Sequence, residues 1–162
     1  MVYRVAVLGA GYVGVVHAAC FARKGYEVVV ADPNAERVAA VNAGRAPFYE
    51  PGLDELVRET VDAGLLRATV NSEEAARFGD VVFICVGTPS KPDGSIDLSY
   101  VEKASRQIGR ALRARGDYSL VVVRSTVVPG TTEGLVKPAI EAESGLSCGE
   151  DFGLCMQPEF LK

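Results

Sequence analysis

The sequence has little of several features that define common classes of protein. It contains one histidine, and its four cysteines include no Cys-x-x-Cys pair, which argues against a zinc site. The net charge is −4 at pH 7, whereas nucleic-acid binding needs a basic face. No run approaches the ~18 consecutive apolar residues of a membrane span. We therefore expect no metal, nucleic-acid or membrane partner.

The cysteines and the N-terminus favour a cytoplasmic protein. The first residues, MVYRVAVLG, lack the charged region and the cleavage site of a signal peptide. Cys20 and Cys85 lie in apolar runs, which predicts small core residues. Cys148 and Cys155 lie close enough in sequence to pair, but free thiols are the expected state in the cytoplasm.

Apolar runs of strand length recur along the chain, with helix-like segments between most of them. The runs cover residues 2–8, 27–31, 68–70, 81–86, 120–123 and 152–156. This alternation predicts an α/β domain of the doubly wound Rossmann type, with a mostly parallel six-stranded sheet and helices on both faces. The strands are apolar throughout, as expected for strands covered on both sides. The 162 residues fit one domain.

Helical spacing is clear in residues 12–24, 35–42 and 98–115. In the last of these, the buried positions are predicted to be Val101, Ala104, Ile108 and Leu112. In the first, the apolar side is predicted to carry Val13, Val16, His17 and Cys20, with His17 packed in the core or at an interface. Two further helix starts are predicted, one at the proline of EPGLDELVRET and one capped by Ser72.

A glycine-rich turn follows the first apolar run directly. In GAGYVG, Gly9 would allow a tight turn, Gly11 a close approach of backbone to a diphosphate, and Gly14 close packing of helix on strand. Phosphate groups bind favourably at such a helix N-terminus, because its N–H groups are unpaired and its dipole is positive there. The strand–glycine–helix context predicts a dinucleotide-binding turn.

The second apolar run ends in Asp32, 23 residues after Gly9. A carboxylate at this place accepts hydrogen bonds from both ribose hydroxyls and repels a 2′-phosphate, which favours NAD over NADP. Arg37 lies one turn further on and either covers the adenosine end or is a solvated charge; an arginine there is also compatible with a 2′-phosphate. The predicted cofactor is NAD.

Five motifs together resemble one enzyme family. They are GAGYVG, YEPGLDEL, FICVGTPSKPDGSIDLSYV, VVVRSTVVPGTT and MQPEFLK. In their order and spacing they are similar to the N-terminal part of the UDP-glucose/GDP-mannose dehydrogenase family, over nearly the whole chain. The resemblance implies NAD-dependent oxidation of the C6 alcohol of a nucleotide sugar to a carboxylate, with two NAD per turnover. UDP-glucose is the expected substrate, with GDP-mannose and UDP-N-acetylmannosamine as alternatives.

The resemblance also carries roles onto matching positions. The positions matching NAD contacts are Gly9, Ala10, Gly11, Tyr12, Val13, Gly14, Asp32, Arg37, Gly87, Thr88, Pro89, Ser125 and Thr126. Thr126 matches a threonine that also helps to hold a catalytic water, and Glu159 matches a glutamate assigned to acid–base work. Phe160 and Leu161, with Glu159, match contacts to the sugar nucleotide.

Simpler interpretations stand beside these roles. Thr88 and Pro89 would shape a turn, Ser125 and Thr126 would cap the next helix, and Tyr12 would pack on the core. Glu159 would be an exposed terminal charge.

The domain organisation implied by the resemblance is that of a partial enzyme. Residues 1–162 correspond to the NAD-binding domain, and the family continues through a central helix into a sugar-nucleotide domain that completes the dimer. The family's nucleophilic cysteine matches none of the four cysteines here, and Gln157 replaces the family's usual asparagine. Two other hypotheses are a stand-alone NAD-binding module and a 3-hydroxyacid-type dehydrogenase, although the VVVRSTVVPGTT and MQPEFLK motifs argue against the latter.

Overall fold

A six-stranded parallel sheet forms the centre of the computed structural model, which describes residues 3–160. The strand order is β3-β2-β1-β4-β5-β6, and each neighbouring pair runs parallel. The strands are β1 Val5–Leu8, β2 Val28–Ala31, β3 Leu66–Thr69, β4 Val81–Ile84, β5 Ser119–Val123 and β6 Phe152–Met156. Strands β2 and β3 are added on one side of β1, and β4, β5 and β6 on the other. The boundary between β1 and β4 is therefore the topological switch point of a Rossmann fold.

Helices cover both faces of the sheet, and the sheet separates the hydrophobic core into two clusters. They are α1 Tyr12–Arg23, α2 Ala35–Asn42, α3 Leu53–Asp62, α4 Ser72–Phe78, α5 Ser99–Arg115 and α6 Lys137–Ser144. Val5 and Val7 of β1 point into the cluster under α1 and α3, whereas Ala6 and Leu8 point into the cluster under α4, α5 and α6. This alternation confirms the doubly wound α/β prediction.

The predicted strands are confirmed with small shifts at their ends, but their uniformly apolar character holds only in the centre. All residues of β1 and β2 are buried, whereas β3 alternates between buried Leu66 and exposed Arg67. Strand β3 lies at the edge of the sheet, so part of its surface faces solvent. The four buried positions predicted for α5 are confirmed.

Helix α1 packs through a different face from the predicted one. Its fully buried residues are Val15, Ala18, Ala19 and Ala22, and Cys20 is exposed. Small side chains allow the helix to approach the sheet closely, so the larger Val13, Val16 and His17 lie half-buried at its flank. The prediction of Cys20 as a core residue was therefore wrong, whereas Cys85 is buried as predicted.

Two predicted helix starts are displaced by one or two residues. The side chain of Asn71, not Ser72, caps α4 by accepting hydrogen bonds from the backbone of Glu73 and Glu74. Helix α3 begins after Gly52, which has a φ of +78°, so Pro51 lies before the cap. The amide of Asn71 reaches the backbone two and three residues ahead, which is the geometry of an N-cap.

The sequence pattern did not predict the helical segment before β6. A π-helical turn at Thr132–Val136 runs directly into α6. Pro138 lies inside this continuous helix and has no N–H for the usual bond to the carbonyl four residues earlier. The wide turn places the proline in the first turn of α6, where a missing donor is tolerated.

An ion-pair cluster closes the amino-terminal edge of the sheet, opposite the candidate site. Asp80, just before β4, accepts a hydrogen bond from the backbone N–H of Arg4 at 2.7 Å and pairs with the Arg4 guanidinium at 3.1 Å. The buried side chain of Arg115 also pairs with Asp80 and donates to the carbonyl of Gly79. The cluster ties β1, β4 and α5 together.

We expect Asp80 to make stability depend on pH in the acid range. Burial alone would raise the pKa of Asp80, but the hydrogen bonds from Arg4 and Arg115 outweigh it and lower the pKa from 3.8 to about 2. The contribution of the Asp80 carboxylate to the free energy of unfolding is therefore complete above the pKa of this group in the unfolded chain, and it is lost as the pH falls towards about 2. Its size is on the order of 1 kcal/mol, because solvent screens this partly exposed pair.

Denaturant unfolding of the wild type and Asp80→Asn at several pH values measures this contribution. The difference in unfolding free energy between the two proteins should shrink between about pH 5 and about pH 2. A difference that stays constant over this range would show that the Asp80 carboxylate does not titrate with folding.

Candidate functional site

A cleft of about 710 Å³ opens at the carboxyl edge of the sheet, across the switch point between β1 and β4. Its size is typical of small-molecule sites, and its place is where open α/β sheets bind ligands. Eleven of the predicted site residues line it, namely Gly9, Gly11, Tyr12, Val13, Asp32, Arg37, Gly87, Thr88, Ser125, Thr126 and Glu159. The cleft therefore unites residues that lie up to 150 positions apart in the sequence.

The glycine turn joins β1 to α1 in a geometry that larger residues would not permit. Gly9 has a φ of +111°, and a Cβ there would lie 2.5 Å from the carbonyl oxygen of Cys85. A Cβ on Gly14 would overlap the carbonyl oxygen of Gly9. A Cβ on Gly11 would meet no atom of residues 3–160 within 4 Å, so its surroundings on the cleft side are open.

The N-terminus of α1 faces this open space without a side-chain cap. Gly11 is the N-cap residue, and its carbonyl accepts the first helical hydrogen bond from Val15 at 3.0 Å, but glycine has no side chain to cap the other N–H groups of the first turn. The first N–H groups of a helix have no partner within the helix, and the dipole gives this end a partial positive charge. The turn is therefore suited to hold a diphosphate.

Asp32 lies directly after β2 and connects it to the glycine turn. Its side chain is buried, and Oδ2 accepts a hydrogen bond from the backbone N–H of Ala10 at 2.7 Å. Oδ1 accepts a second bond from the N–H of Asn34 at 2.9 Å, and Arg37 pairs with the carboxylate at 3.5 Å. Each carboxylate oxygen has further lone pairs, so Asp32 can still accept hydroxyl groups of a ligand.

The loops after β4 and β5 are tied together beneath the cleft. The buried hydroxyl of Ser125 donates to the carbonyl of Val86 at 2.7 Å, and its backbone N–H donates to Ile84 at 3.0 Å. These hydrogen bonds hold together the two loops that bring Thr88 and Thr126 to the cleft. The next helical turn begins only at Thr132, so neither Ser125 nor Thr126 caps it.

Helix α1 places one aromatic residue, Tyr12, in the cleft lining and packs His17 outside it. Tyr12 is 58% exposed and stacks on Phe48 with ring centroids 4.0 Å apart, so it both contacts the protein and lines the cleft. His17 contacts the rings of Phe21 and Phe83, and its Nδ1 lies 2.9 Å from the carbonyl of Val13. Burial lowers the pKa of His17, so it is neutral at physiological pH.

Some predicted site residues lie outside the cleft lining. Ala10, Gly14 and Pro89 shape the surrounding backbone without lining the cleft, and Phe160, which is 87% exposed, does not line it either. Leu161 lies outside the described residues. The carbonyl of Pro89 accepts a backbone hydrogen bond from the N–H of Asp97 at 2.8 Å, which closes the loop between residues 89 and 97.

The cleft also contains residues that sequence reasoning missed. Helix α5 contributes Tyr100, Lys103 and Gln107, and Arg124 directly follows β5. The spacing of Tyr100, Lys103 and Gln107 places them on one helical face, which would have signalled a shared surface. No comparable sequence signal existed for Arg124, because its place in the cleft depends on the packing of β5 beside β4.

The thiol of Cys85 lines the cleft floor but is unreactive there. Burial raises the pKa of the Cys85 thiol to about 12, so the nucleophilic thiolate is absent at neutral pH. All four cysteines have free thiols. Among residues 3–160, no group of His, Cys, Asp and Glu side chains is arranged to hold a metal ion. In the same residues, no helix has the length and apolar character needed to cross a membrane.

Comparison with known proteins gives relatives over essentially the whole chain. The family model for the UDP-glucose/GDP-mannose dehydrogenase family, NAD binding domain, matches residues 3–162. The GDP-mannose 6-dehydrogenase of Azotobacter vinelandii is 46% identical over 159 residues, which are 98% of this chain and 36% of that protein.

Two solved structures have nearly the same fold. The GDP-mannose dehydrogenase of Pseudomonas aeruginosa, solved as a ternary complex, has a TM-score of 0.96 and 44% identity, covering 98% of this chain and 36% of that chain. The UDP-glucose dehydrogenase of the archaeon Pyrobaculum islandicum has a TM-score of 0.94 and 49% identity, covering 100% of this chain and 37% of that chain. This chain thus spans little more than a third of the length of these relatives.

Proposed function

The chain belongs to the UDP-glucose/GDP-mannose dehydrogenase family, where it matches the NAD-binding domain, and on that premise we propose that it is the cofactor-binding part of a nucleotide-sugar 6-dehydrogenase. Its cofactor is NAD. The proposed reaction oxidises the C6 alcohol of a nucleotide sugar to a carboxylate. We further propose that the parts of these longer relatives that this chain does not match correspond to the domains that bind the sugar nucleotide and form the dimer. Free thiols support a cytoplasmic location.

The residues of the cleft fit NAD in three ways. The uncapped start of α1 offers N–H donors to the diphosphate, and the open space at Gly11 leaves room for it. The buried carboxylate of Asp32 lies where the adenosine ribose would be held, and its negative charge disfavours a 2′-phosphate. Because Arg37 already pairs with Asp32, its charge is partly neutralised and offers less attraction to that phosphate.

NAD supplies the hydride acceptor when bound. In our proposal, Thr126 and Glu159 act on the substrate side of the cleft. The hydroxyl of Thr126 can donate and accept at once, which suits it to hold a water molecule beside the reacting carbon. The Glu159 carboxylate, which lines the same cleft, would accept the proton released when that water attacks. The thiol of Cys85 is protonated at neutral pH, which supports assigning covalent chemistry to the family's nucleophilic cysteine, whose position none of the four cysteines here matches.

The proposed substrate is UDP-glucose, and GDP-mannose is the second candidate. The similarity to the Pyrobaculum islandicum UDP-glucose dehydrogenase favours UDP-glucose, and the similarity to the Azotobacter vinelandii GDP-mannose 6-dehydrogenase favours GDP-mannose. The family match argues against the 3-hydroxyacid type of dehydrogenase. A stand-alone NAD-binding module is the remaining alternative.

The observation that carries the proposal is the union of the glycine turn, Asp32, Thr126 and Glu159 in one cleft. NADH formation should be assayed with UDP-glucose and with GDP-mannose, using this chain alone and the chain extended by whatever coding sequence follows it. We expect NADH only from the extended protein, with two NADH per sugar oxidised. Steady turnover by the 162 residues alone would refute the proposal that this chain binds the cofactor but needs further domains for catalysis. NAD binding without any extension in the gene would favour the stand-alone module.

A further inference from the structure

Arg124 is a cleft residue whose hydrogen-bonding capacity is only partly used. It directly follows β5, and its backbone N–H donates to the carbonyl of Ile84 at 2.9 Å. Its side chain lines the cleft, where Nε is buried and has no hydrogen-bond partner within residues 3–160. A buried donor without an acceptor is costly, so such groups commonly serve a ligand or a charge-based role.

The topology places Arg124 at the far end of the cleft from Asp32. Asp32 follows β2, and the glycine turn follows β1, so the adenosine and the diphosphate occupy that half of the edge. Continuing in the same direction, the strand order reaches β4 and then β5. The other nucleoside, which carries the nicotinamide, therefore extends towards Cys85 and Arg124. This step rests on the proposed function.

Arg124 and Glu159 bring opposite charges to this end of the cleft. At both Cys85 and His17, the positive charge of Arg124 shifts the pKa more strongly than the opposing negative charge of Glu159. Burial is the larger cause at each group, but between the two charges the arginine has the greater effect. A ligand group held over the ends of β4 and β5 would therefore lie close to the positive charge of Arg124.

We propose that Arg124 makes this end of the cleft selective for the reduced form of the cofactor. The nicotinamide ring is positively charged in NAD⁺ and neutral in NADH. When the C–H bond at C6 of the sugar breaks, its two electrons and hydrogen form a new C–H bond on the ring, which loses its charge, while the alcohol proton passes to a base. A fixed positive charge nearby disfavours the oxidised ring and thus favours hydride acceptance.

Binding measurements separate this role from a contact to the diphosphate. Affinities for NAD⁺, NADH and ADP-ribose, which has the diphosphate but no nicotinamide, should be measured by calorimetry. The variants are Arg124→Gln, which removes the charge, and Arg124→Lys, which keeps it as a matched control. Thermal melting confirms that each variant is folded.

We expect the wild type to bind NADH more tightly than NAD⁺. Arg124→Gln should shift the ratio of the two affinities by about tenfold towards NAD⁺, as expected for the loss of one charge near the ring. Arg124→Lys should keep the ratio within about twofold of the wild type, since the charge remains. The affinity for ADP-ribose should be the same in all three proteins.

Several results would overturn the inference. Equal losses for all three ligands in Arg124→Gln would indicate a diphosphate contact, and an unchanged ratio would show that the charge does not act on the ring. If Arg124→Gln does not fold, the wild-type ratio still decides, because tighter binding of NAD⁺ than of NADH contradicts the proposal. A wild type that binds none of the three ligands would instead refute the proposed function.

Discussion

Gly14→Ala is expected to lower the melting temperature of the chain by about 10 °C, whereas Gly11→Ala leaves it nearly unchanged. A Cβ on Gly14 would overlap the carbonyl oxygen of Gly9, and both atoms belong to backbone that is fixed between β1 and α1. Helix α1 would have to move away from the sheet at its most closely packed point, at a cost of about 3 kcal/mol. For a domain of this size each kcal/mol corresponds to a few degrees.

Gly11→Ala is the matched control because it adds the same methyl group three residues away. Among the residues that the structure describes, none has an atom within 4 Å of this Cβ, and the φ of −83° is accessible to alanine. The methyl group would project into the space where we place the diphosphate, so NAD affinity should fall by at least about tenfold with little change in stability. Calorimetric melting and NAD titration of both variants test the pair. Equal melting temperatures, or unchanged NAD binding in Gly11→Ala, would contradict this assignment of the two glycines.

Asp32→Ala is expected to weaken NAD binding by about a hundredfold and to reduce the preference of the protein for NAD over NADP. The substitution removes the proposed acceptor for two ribose hydroxyls, and a hydrogen bond to a charged group contributes about 1.5–3 kcal/mol. It also leaves the buried N–H of Ala10 without its partner, which should cost about 1–3 kcal/mol of stability. NADP affinity should fall less, because the repulsion of its 2′-phosphate disappears together with the acceptor.

Asp32→Asn separates the structural and binding effects of this residue. An asparagine keeps an oxygen that can accept the hydrogen bond from Ala10 but has no negative charge. We expect stability close to the wild type and a loss of discrimination between NAD and NADP. Titration of both cofactors into the wild type and the two variants provides the measurement. A wild type that prefers NADP would reverse the role given to Asp32.

The fold and the cofactor were predictable because they depend on local patterns. The turn GAGYVG requires glycines for reasons that act within a few residues, and the contacts of Gly9 and Gly14 in the structure show those reasons. Asp32 was identifiable because the end of β2 reaches the sheet edge wherever a Rossmann fold forms. The family followed from five motifs spread over the chain, and the comparisons confirm it.

The features that were missed depend on packing between distant segments. The buried face of α1 was assigned to its largest apolar residues, whereas close approach to the sheet selects Ala18, Ala19 and Ala22. The Ser125–Val86 hydrogen bond joins two loops 39 residues apart, and neither loop sequence indicates it. The buried Nε of Arg124, which has no partner in the described part of the chain, is likewise visible only once β4 and β5 lie side by side.

A crystal structure of this chain grown with NAD tests the central claim most directly. We predict that the diphosphate lies at the N-terminus of α1 over Gly11, with the adenosine ribose hydrogen-bonded to Asp32 and the nicotinamide over the ends of β4 and β5. NAD bound at another surface, or bound in this cleft with its adenosine next to Arg124, would contradict the account.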